Sequence, residues 1–207
     1  MKKPKKEEKP LSGAQDAYEW LQILIVALVT IILVFTFVGR ITPVVGESML
    51  PTLHEGDVML IRDIGYTDPQ PGDIVVLTKE FDAARGPIVK RIIAVEGQTV
   101  DIDYQTGTVY VDGEALDEPY LNEPMEEPWY EDLTSVTVPE GSVFVMGDNR
   151  NHSNDSRDVT LGTVDTRYLL GKAEFICFPF SDFGRLPQPM RPKSEKGKQM
   201  NSALPSR

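Results

Sequence analysis

The longest apolar run of the chain lies near its N-terminus and predicts a membrane span. Leu21 to Val38 is eighteen residues without a charge; at ~1.5 Å per residue a helix of that length covers about 27 Å, close to the ~30 Å hydrocarbon core. Trp20 stands at one end, where aromatic anchors are common. A removable signal peptide usually has ~7–15 apolar residues before a small-residue cleavage site, and Thr36 to Arg40 offers none. We therefore predict a permanent transmembrane helix over residues 21–38.

Positive charge around the span predicts its orientation. Five lysines precede the span, whereas Arg40 is the only basic residue between the span and Arg62. Segments rich in Lys and Arg stay in the cytoplasm. We therefore predict a cytoplasmic tail over residues 1–20, a single-pass anchor in the cell membrane with the lipid bilayer as a partner, and an extracytoplasmic body after Arg40.

Beyond the span, short apolar runs alternate with Gly, Pro and Asp, which is typical of strands and turns. Asp112-Gly113 after one of these runs predicts a hairpin. Regularly spaced short strands indicate a mainly β fold with an antiparallel β-sheet body. We predict this body over residues 41–184, with a smaller β insertion at about 103–140. The predicted strands are Val58–Ile61, Ile74–Leu77, Ile88–Val95, Thr99–Ile102, Thr108–Val111, Val136–Val138, Ser142–Met146 and Lys172–Cys177.

Two segments depart from the strand pattern. Asp117 to Asp132 is acidic and rich in proline, and we predict a surface excursion between strands. Residues 185–207 contain four prolines, several basic residues and almost no apolar ones. We predict a basic, disordered tail there, with contact to anionic lipid as the alternative.

Charge and composition narrow the function classes. The net charge is −11, but residues 41–184 carry −18, because residues 1–40 carry +2 and residues 185–207 carry +5. Nucleic-acid binding needs a basic face, which this acidic body argues against. The single cysteine, Cys177, rules out a disulfide framework and a cysteine-based metal site within one chain, and two histidines argue against a multi-histidine centre. No metal and no organic cofactor is expected.

Three polar clusters could carry chemistry. The first, VGESMLPTL over residues 45–53, places Ser48 ten residues beyond the predicted span; taken alone, such a serine is most often a turn residue. The second, PIVKRIIAV over residues 87–95, puts Lys90 and Arg91 on opposite faces of a strand. Both faces of this strand are otherwise apolar. We therefore predict that both faces are buried and that each carries one cation.

Burial would change the chemistry of Lys90. A buried ammonium loses its hydration, which lowers its pKa and yields a neutral amine able to accept a proton. The alternative is an edge-strand lysine whose amine reaches water, and the residues alone leave both open. Arg91 stays charged and therefore needs a carboxylate partner.

The third cluster, MGDNRNHSNDSR over residues 146–157, follows a predicted strand. A polar run of this kind is usually a solvated loop rich in Asx turns. Its density of donors and acceptors could instead form a hydrogen-bonded network around a buried amine. Ser48 beside a desolvated lysine would be a Ser–Lys arrangement, a known form of the activated nucleophile.

The order of the three clusters carries a specific resemblance. G-x-S-M-x-P-T, then K-R in an apolar strand, then G-D-N-R-x-x-S-x-D-S-R resembles bacterial type I signal peptidase, from the span to about Pro179. The resemblance implies a β body of the signal-peptidase and LexA type. It also implies a membrane-anchored serine endopeptidase that removes signal peptides from exported preproteins, without a cofactor.

The resemblance assigns roles to individual positions. The serine of S-M-x-P is the family's nucleophile, which falls on Ser48, and the lysine of K-R is its general base, which falls on Lys90. The serine downstream of G-D-N-R, here Ser153, helps to orient the amine. The aspartate and arginine of D-S-R, here Asp155 and Arg157, support that network.

The sequence leaves the carboxylate partner of Arg91 and part of the substrate and oxyanion sites unassigned. Either Asp148 or Asp155 could pair with Arg91, and the sequence does not choose between them. Met49 is a candidate wall of the shallow apolar pockets that would select small substrate side chains. Some family members supply a second oxyanion donor through a hydroxyl where this chain has Gly46, so only the backbone N–H of the nucleophile is assigned.

Three other interpretations compete with this one. His152 could act as base if Lys90 were structural, whereas His54 is expected at the surface. A self-cleaving Ser–Lys peptidase of the LexA type would share the β fold, but that class is cytoplasmic and carries a DNA-binding module. A catalytically inactive, membrane-anchored binding module would use Ser48 as a turn residue.

Overall fold

The computed structural model describes residues 13–37, 39–81, 86–127 and 132–186. They form two compact units, one up to Gly39 and one from Arg40 onward. Most of the predicted cytoplasmic tail and of the predicted basic tail lies outside the described residues. The described part of the basic tail continues the body, because Leu186 is buried at 4% exposure.

The first unit is a single helix, α1, over Gly13–Phe37. Its segment Gln15–Leu33 is long and apolar enough to cross a membrane. The helix therefore begins before the predicted span. The apolar stretch from Leu21 onward continues without a break into helix formers on its N-terminal side, so nothing in the sequence ends the helix there.

The described residues of the second unit form twelve strands, and their antiparallel pairing confirms the predicted mainly β fold. All eight predicted strands are present, with small shifts at their ends. Four strands were not predicted, and each has only two to four residues. In chain order the strands are β1 (Arg40–Pro43), β2 (Val58–Arg62), β3 (Ile74–Leu77), β4 (Ile88–Val95), β5 (Thr99–Asp103), β6 (Thr108–Val111), β7 (Glu114–Ala115), β8 (Ser135–Thr137), β9 (Ser142–Met146), β10 (Val164–Asp165), β11 (Leu169–Phe178) and β12 (Gly184–Arg185).

The strands form two sheets. The larger sheet has the order β1-β2-β11-β3-β4-β9-β10, with β12 paired to β11, and the smaller one has the order β7-β6-β5-β8. The predicted hairpin joins β6 to β7, and its two turn residues, Asp112 and Gly113, both have positive φ. That is the backbone conformation of a two-residue type I′ turn.

Burial along the strands follows their sequence pattern. Val100 and Ile102 of β5 are buried and alternate with less buried neighbours, which gives the sheet one packed face. All four residues of β3 and the middle of β4 are buried, as expected for strands covered on both faces. Lys90 therefore sits in one of the most enclosed strands of the described body.

The predicted surface excursion at residues 117–132 lies between β7 and β8, and most of its described residues are exposed, but it also makes buried contacts that were not predicted. Met125 is 3% exposed and packs in the core with strands of the smaller sheet. The Glu118 carboxylate pairs with the guanidinium of Arg150, and the Asn151 side-chain amide donates to Glu123 and to the Pro124 carbonyl, each at 3.0 Å. Composition suggested a solvated loop, but a buried arginine elsewhere in the chain requires one of these carboxylates.

We expect Glu118→Gln to lower the free energy of unfolding by about 2–3 kcal/mol, because it leaves the buried guanidinium of Arg150 without a counter-charge. Thermal and denaturant unfolding of the full chain in detergent measure this difference. Glu126→Gln is the matched control, since that side chain is exposed in the same segment and should change stability by no more than about 0.5 kcal/mol. Equal effects of the two substitutions would contradict the buried ion pair.

Candidate active site

Ser48 lies in the connection between β1 and β2, and the core fixes that connection on both sides of it. Met49 is 1% exposed and Leu53 is fully buried, and both pack in the core with Val44, Met59 and Ile61. The Leu50 N–H donates to the Glu47 carbonyl at 3.1 Å and closes a turn around the serine. The hydroxyl is therefore carried by a backbone that the neighbouring apolar side chains hold in place.

Lys90 meets this serine from the sheet. It is the third residue of β4, it pairs with Val75 of β3, and its side chain is 3% exposed. Its Nζ lies 2.6 Å from Ser48 Oγ. Burial lowers the pKa of this amine from 10.5 to about 8, although the charge of Asp155 raises it in part. The edge-strand alternative, with an amine in water, is excluded by this burial.

A second group of polar residues surrounds the amine. Asp155, fully buried, accepts hydrogen bonds from Ser153 Oγ at 2.7 Å, from Gly147 N at 2.9 Å and from Arg157 Nε at 2.8 Å. Burial alone would raise the Asp155 pKa, but the Arg157 guanidinium and these hydrogen bonds lower it below its ordinary value. The Asp155 carboxylate is therefore charged at neutral pH, and it holds the Ser153 hydroxyl and the Arg157 guanidinium close together.

The carboxylate partner of Arg91 is Asp148. Arg91 Nε and Nη2 donate to the two carboxylate oxygens of Asp148 at 2.7 and 2.6 Å, in a bidentate pair with both side chains buried. Asp155 pairs with Arg157 instead. Thr52 Oγ1 donates to Asp148 at 2.5 Å, so the same carboxylate ties the segment after Ser48 to the sheet.

The loop that follows β9 approaches Ser48 very closely. A side chain at Gly147 would collide with Ser153 and with the carbonyl oxygen of Ser48. The next contact is a hydrogen bond from Asn149 N to that same carbonyl at 3.0 Å. Glycine is required here because the backbone of Ser48 occupies the space that a Cβ would need.

Several contacts of the site were not predicted. Thr52 and Asn149 lie within the quoted motifs, but no role was assigned to them. Tyr120 was missed as well; its ring lies under the Arg91 guanidinium, 4.1 Å from ring centroid to Cζ, and its hydroxyl donates to Glu118 at 2.7 Å. No periodicity or motif signals the contact with Arg91, since Tyr120 lies 29 positions away from it in the sequence.

The remaining predicted residues occupy different environments. Met49, a candidate substrate contact, packs in the core, and its role toward substrate stays a prediction. Gly46 has φ 86° and open space at its Cα, so the second oxyanion donor stays unassigned. His54 and His152 are both exposed, and the amine beside Ser48 belongs to Lys90.

Comparison with known proteins agrees with this geometry. A family model described as "Signal peptidase, peptidase S26" matches residues 17–178. The chain is 41% identical over 177 residues to a probable signal peptidase I-1 of Synechocystis sp., covering 81% of this chain and 86% of the relative. It is 36% identical over 184 residues to signal peptidase I of Bacillus licheniformis, covering 85% and 96%. It is 34% identical over 186 residues to signal peptidase IB of Staphylococcus aureus, covering 82% and 93%.

A crystal structure of a signal peptidase I from Enterococcus faecalis also matches, with 33% sequence identity and a TM-score of 0.42, covering 51% of this chain and 97% of that chain. The family model spans all three polar clusters, from the segment around Ser48 to the loop that ends at Arg157. The curated relatives are matched over most of their own length. The chain therefore belongs to the signal peptidases of peptidase family S26.

Proposed function

We propose that this protein is a membrane-anchored serine endopeptidase that removes signal peptides from exported preproteins, with Ser48 as nucleophile and Lys90 as general base. One observation carries the mechanistic part: the amine of Lys90, 3% exposed, lies 2.6 Å from Ser48 Oγ. Membership of the signal peptidase family supports the reaction and the class of substrate.

The chemistry is acyl transfer to water. The neutral amine of Lys90 takes the hydroxyl proton of Ser48 as Oγ attacks the scissile carbonyl, and the resulting ammonium returns a proton to the leaving amine. The amine then activates water to release the acyl group. The backbone N–H of Ser48 donates to the tetrahedral oxyanion, and one such donor is typically worth about 2.7–4 kcal/mol.

The surrounding ion pairs support this dyad rather than react. Asp155, paired with Arg157, accepts a hydrogen bond from Ser153, and the family resemblance assigns to Ser153 the role of orienting Lys90. The pair of Arg91 with Asp148 fixes the opposite face of β4. The charges within these buried pairs compensate each other, so the pairs can stay buried beside the amine.

Substrate and orientation follow from the anchor. Ser48 lies eleven residues after the end of α1, so a bond that emerges from the bilayer next to an apolar segment can reach it. Signal peptides present such a bond after their apolar region, flanked by small residues. The lysine-rich N-terminus supports a cytoplasmic location for residues 1–20 and an extracytoplasmic β body.

Ser48→Ala and Lys90→Met should each lower kcat/KM for a preprotein by about 1,000-fold or more, because each removes one member of the dyad. Cleavage of a purified preprotein by the full chain in detergent measures this. Ser142→Ala is the matched control, because that serine lies at the far end of β9 from the polar loop and should retain activity. Equal cleavage by all four proteins would exclude the dyad.

Stability distinguishes loss of the base from misfolding in the Lys90 variant. The pKa of Lys90 is lower in the folded state than in the unfolded state. Below about pH 8 both states bind a proton at this amine, and the unfolded state binds it more tightly. That difference destabilises the wild type by about 1–3 kcal/mol at pH 7. Lys90→Met should therefore unfold at a higher temperature than the wild type while it is inactive.

The pH dependence of kcat/KM should report the amine. The base must be neutral, so activity should rise about tenfold per pH unit up to about pH 8 and then level off. Lys90→Arg should stay inactive across the range, because a guanidinium does not deprotonate. An activity that rises only near pH 10.5 would mean that the amine is in water.

Protease added to spheroplasts should digest the β body and leave an N-terminal tag intact, as the lysine-rich N-terminus predicts. Immunoblots against the tag and against the body measure the two fragments. Permeabilised cells are the control, since there the tag should be lost too. Full protection of the body in intact spheroplasts would reverse the proposed orientation.

A further inference from the structure

The peptide bond that precedes Ser48 has a special position in the proposed reaction. Its N–H is the oxyanion donor, and its C=O belongs to Glu47. The bond is trans, so the carbonyl and the N–H lie in one plane and point in opposite directions. Any group that holds the Glu47 oxygen therefore also sets the direction of the Ser48 N–H.

Two donors hold the Glu47 oxygen. One is the Leu50 N–H of the local turn, at 3.1 Å, and the other is Asn149 Nδ2, also at 3.1 Å. The backbone N–H of Asn149 donates to the Ser48 carbonyl at 3.0 Å. A single residue of the loop after β9 therefore holds the peptides on both sides of the nucleophile.

The side chain of Asn149 does not cap the helix that follows it. Asn149 precedes the 3-10 helix Arg150–His152, where an asparagine usually caps the helix with its side-chain oxygen. Here the side chain makes no capping hydrogen bond, and Nδ2 reaches Glu47 instead. Aspartate would cap equally well, but a carboxylate cannot donate to a carbonyl oxygen.

We propose that Asn149 is a positioning residue of the oxyanion hole, whose side-chain amide fixes the Glu47–Ser48 peptide so that the Ser48 N–H points at the developing oxyanion. The inference rests on the proposed function. A hydrogen bond to the carbonyl also polarises the peptide and strengthens its N–H as a donor. The geometry of this one amide matters more because Gly46 supplies no hydroxyl.

The contact can be removed without separating the two loops. The backbone hydrogen bond from Asn149 to the Ser48 carbonyl does not depend on the side chain, and the ion pair of Asp155 with Arg157 also holds the loop. Asn149→Ala removes the amide. Asn149→Ser keeps an oxygen that can cap the 3-10 helix but is too short to reach Glu47, so it tests the amide with the helix start preserved.

Steady-state cleavage of a preprotein by the full chain in detergent is the test. For Asn149→Ala and Asn149→Ser we expect kcat to fall by about 10- to 100-fold, with KM within twofold and the pH limb still near 8, since the surroundings of Lys90 are unchanged. Asn149→Asp should lose more activity, because its charge repels the oxyanion. Asn154→Ala and Asn154→Asp are the controls, at a side chain of the same loop that donates no hydrogen bond to the Glu47–Ser48 peptide.

A binding measurement separates positioning from general damage. A peptide boronate that forms a tetrahedral adduct with the serine should lose affinity in parallel with kcat, whereas the cleaved product peptide should bind as before. Wild-type kcat in Asn149→Ser, or equal losses in boronate affinity, product affinity and unfolding temperature, would overturn the inference. Absence of cleavage by the wild type would instead refute the proposed function.

Discussion

An amine held out of water beside a hydroxyl is the interaction on which this protein depends. Removing an ammonium from water is costly, and Lys90 is 3% exposed in a strand that is apolar except for Lys90 and Arg91. Its pKa is consequently lowered to about 8. The stability of the surrounding β body offsets the free-energy cost of burying this amine. The lowered pKa makes a neutral amine available near neutral pH.

The polar groups near the amine are arranged so that no net charge is left uncompensated. Arg91 pairs with Asp148, Arg157 with Asp155, and Arg150 with Glu118, and the side chains of all three pairs are at least nine-tenths buried. Buried pairs of this kind add little net stability. They fix geometry instead: Asp148 and Glu118 bind arginines that are far away in the sequence, whereas Asp155 holds its own loop together.

The third of these pairs gives the proline-rich segment after β7 a role. Glu118 binds Arg150, and Tyr120 lies under Arg91, so the segment touches both the loop after β9 and the cation on the far face of β4. The smaller sheet and its insertion are thereby connected to the part of the larger sheet that carries the dyad. Substitutions in this segment should therefore perturb the site through Arg91 and Arg150.

The strand pattern and the motifs determined much of this protein by themselves. Period-two burial and turn residues are local, so eight of the strands and the hairpin at Asp112-Gly113 could be predicted. The two-residue strands β7, β10 and β12 carry too few positions for a pattern. The motif order selected Ser48 and Lys90, and a family model over residues 17–178 agrees with the family it suggested.

Only the tertiary structure decided which charges pair and how the segment around Ser48 is held. The sequence offered two carboxylates for Arg91 and treated residues 117–132 as a surface loop. The pairs of Arg91 with Asp148 and of Arg150 with Glu118, the contact of Tyr120 with Arg91, and the hydrogen bond from Asn149 to Glu47 join residues that are 29 to 102 positions apart. Such contacts depend on chain packing in three dimensions, and a one-dimensional pattern does not contain it.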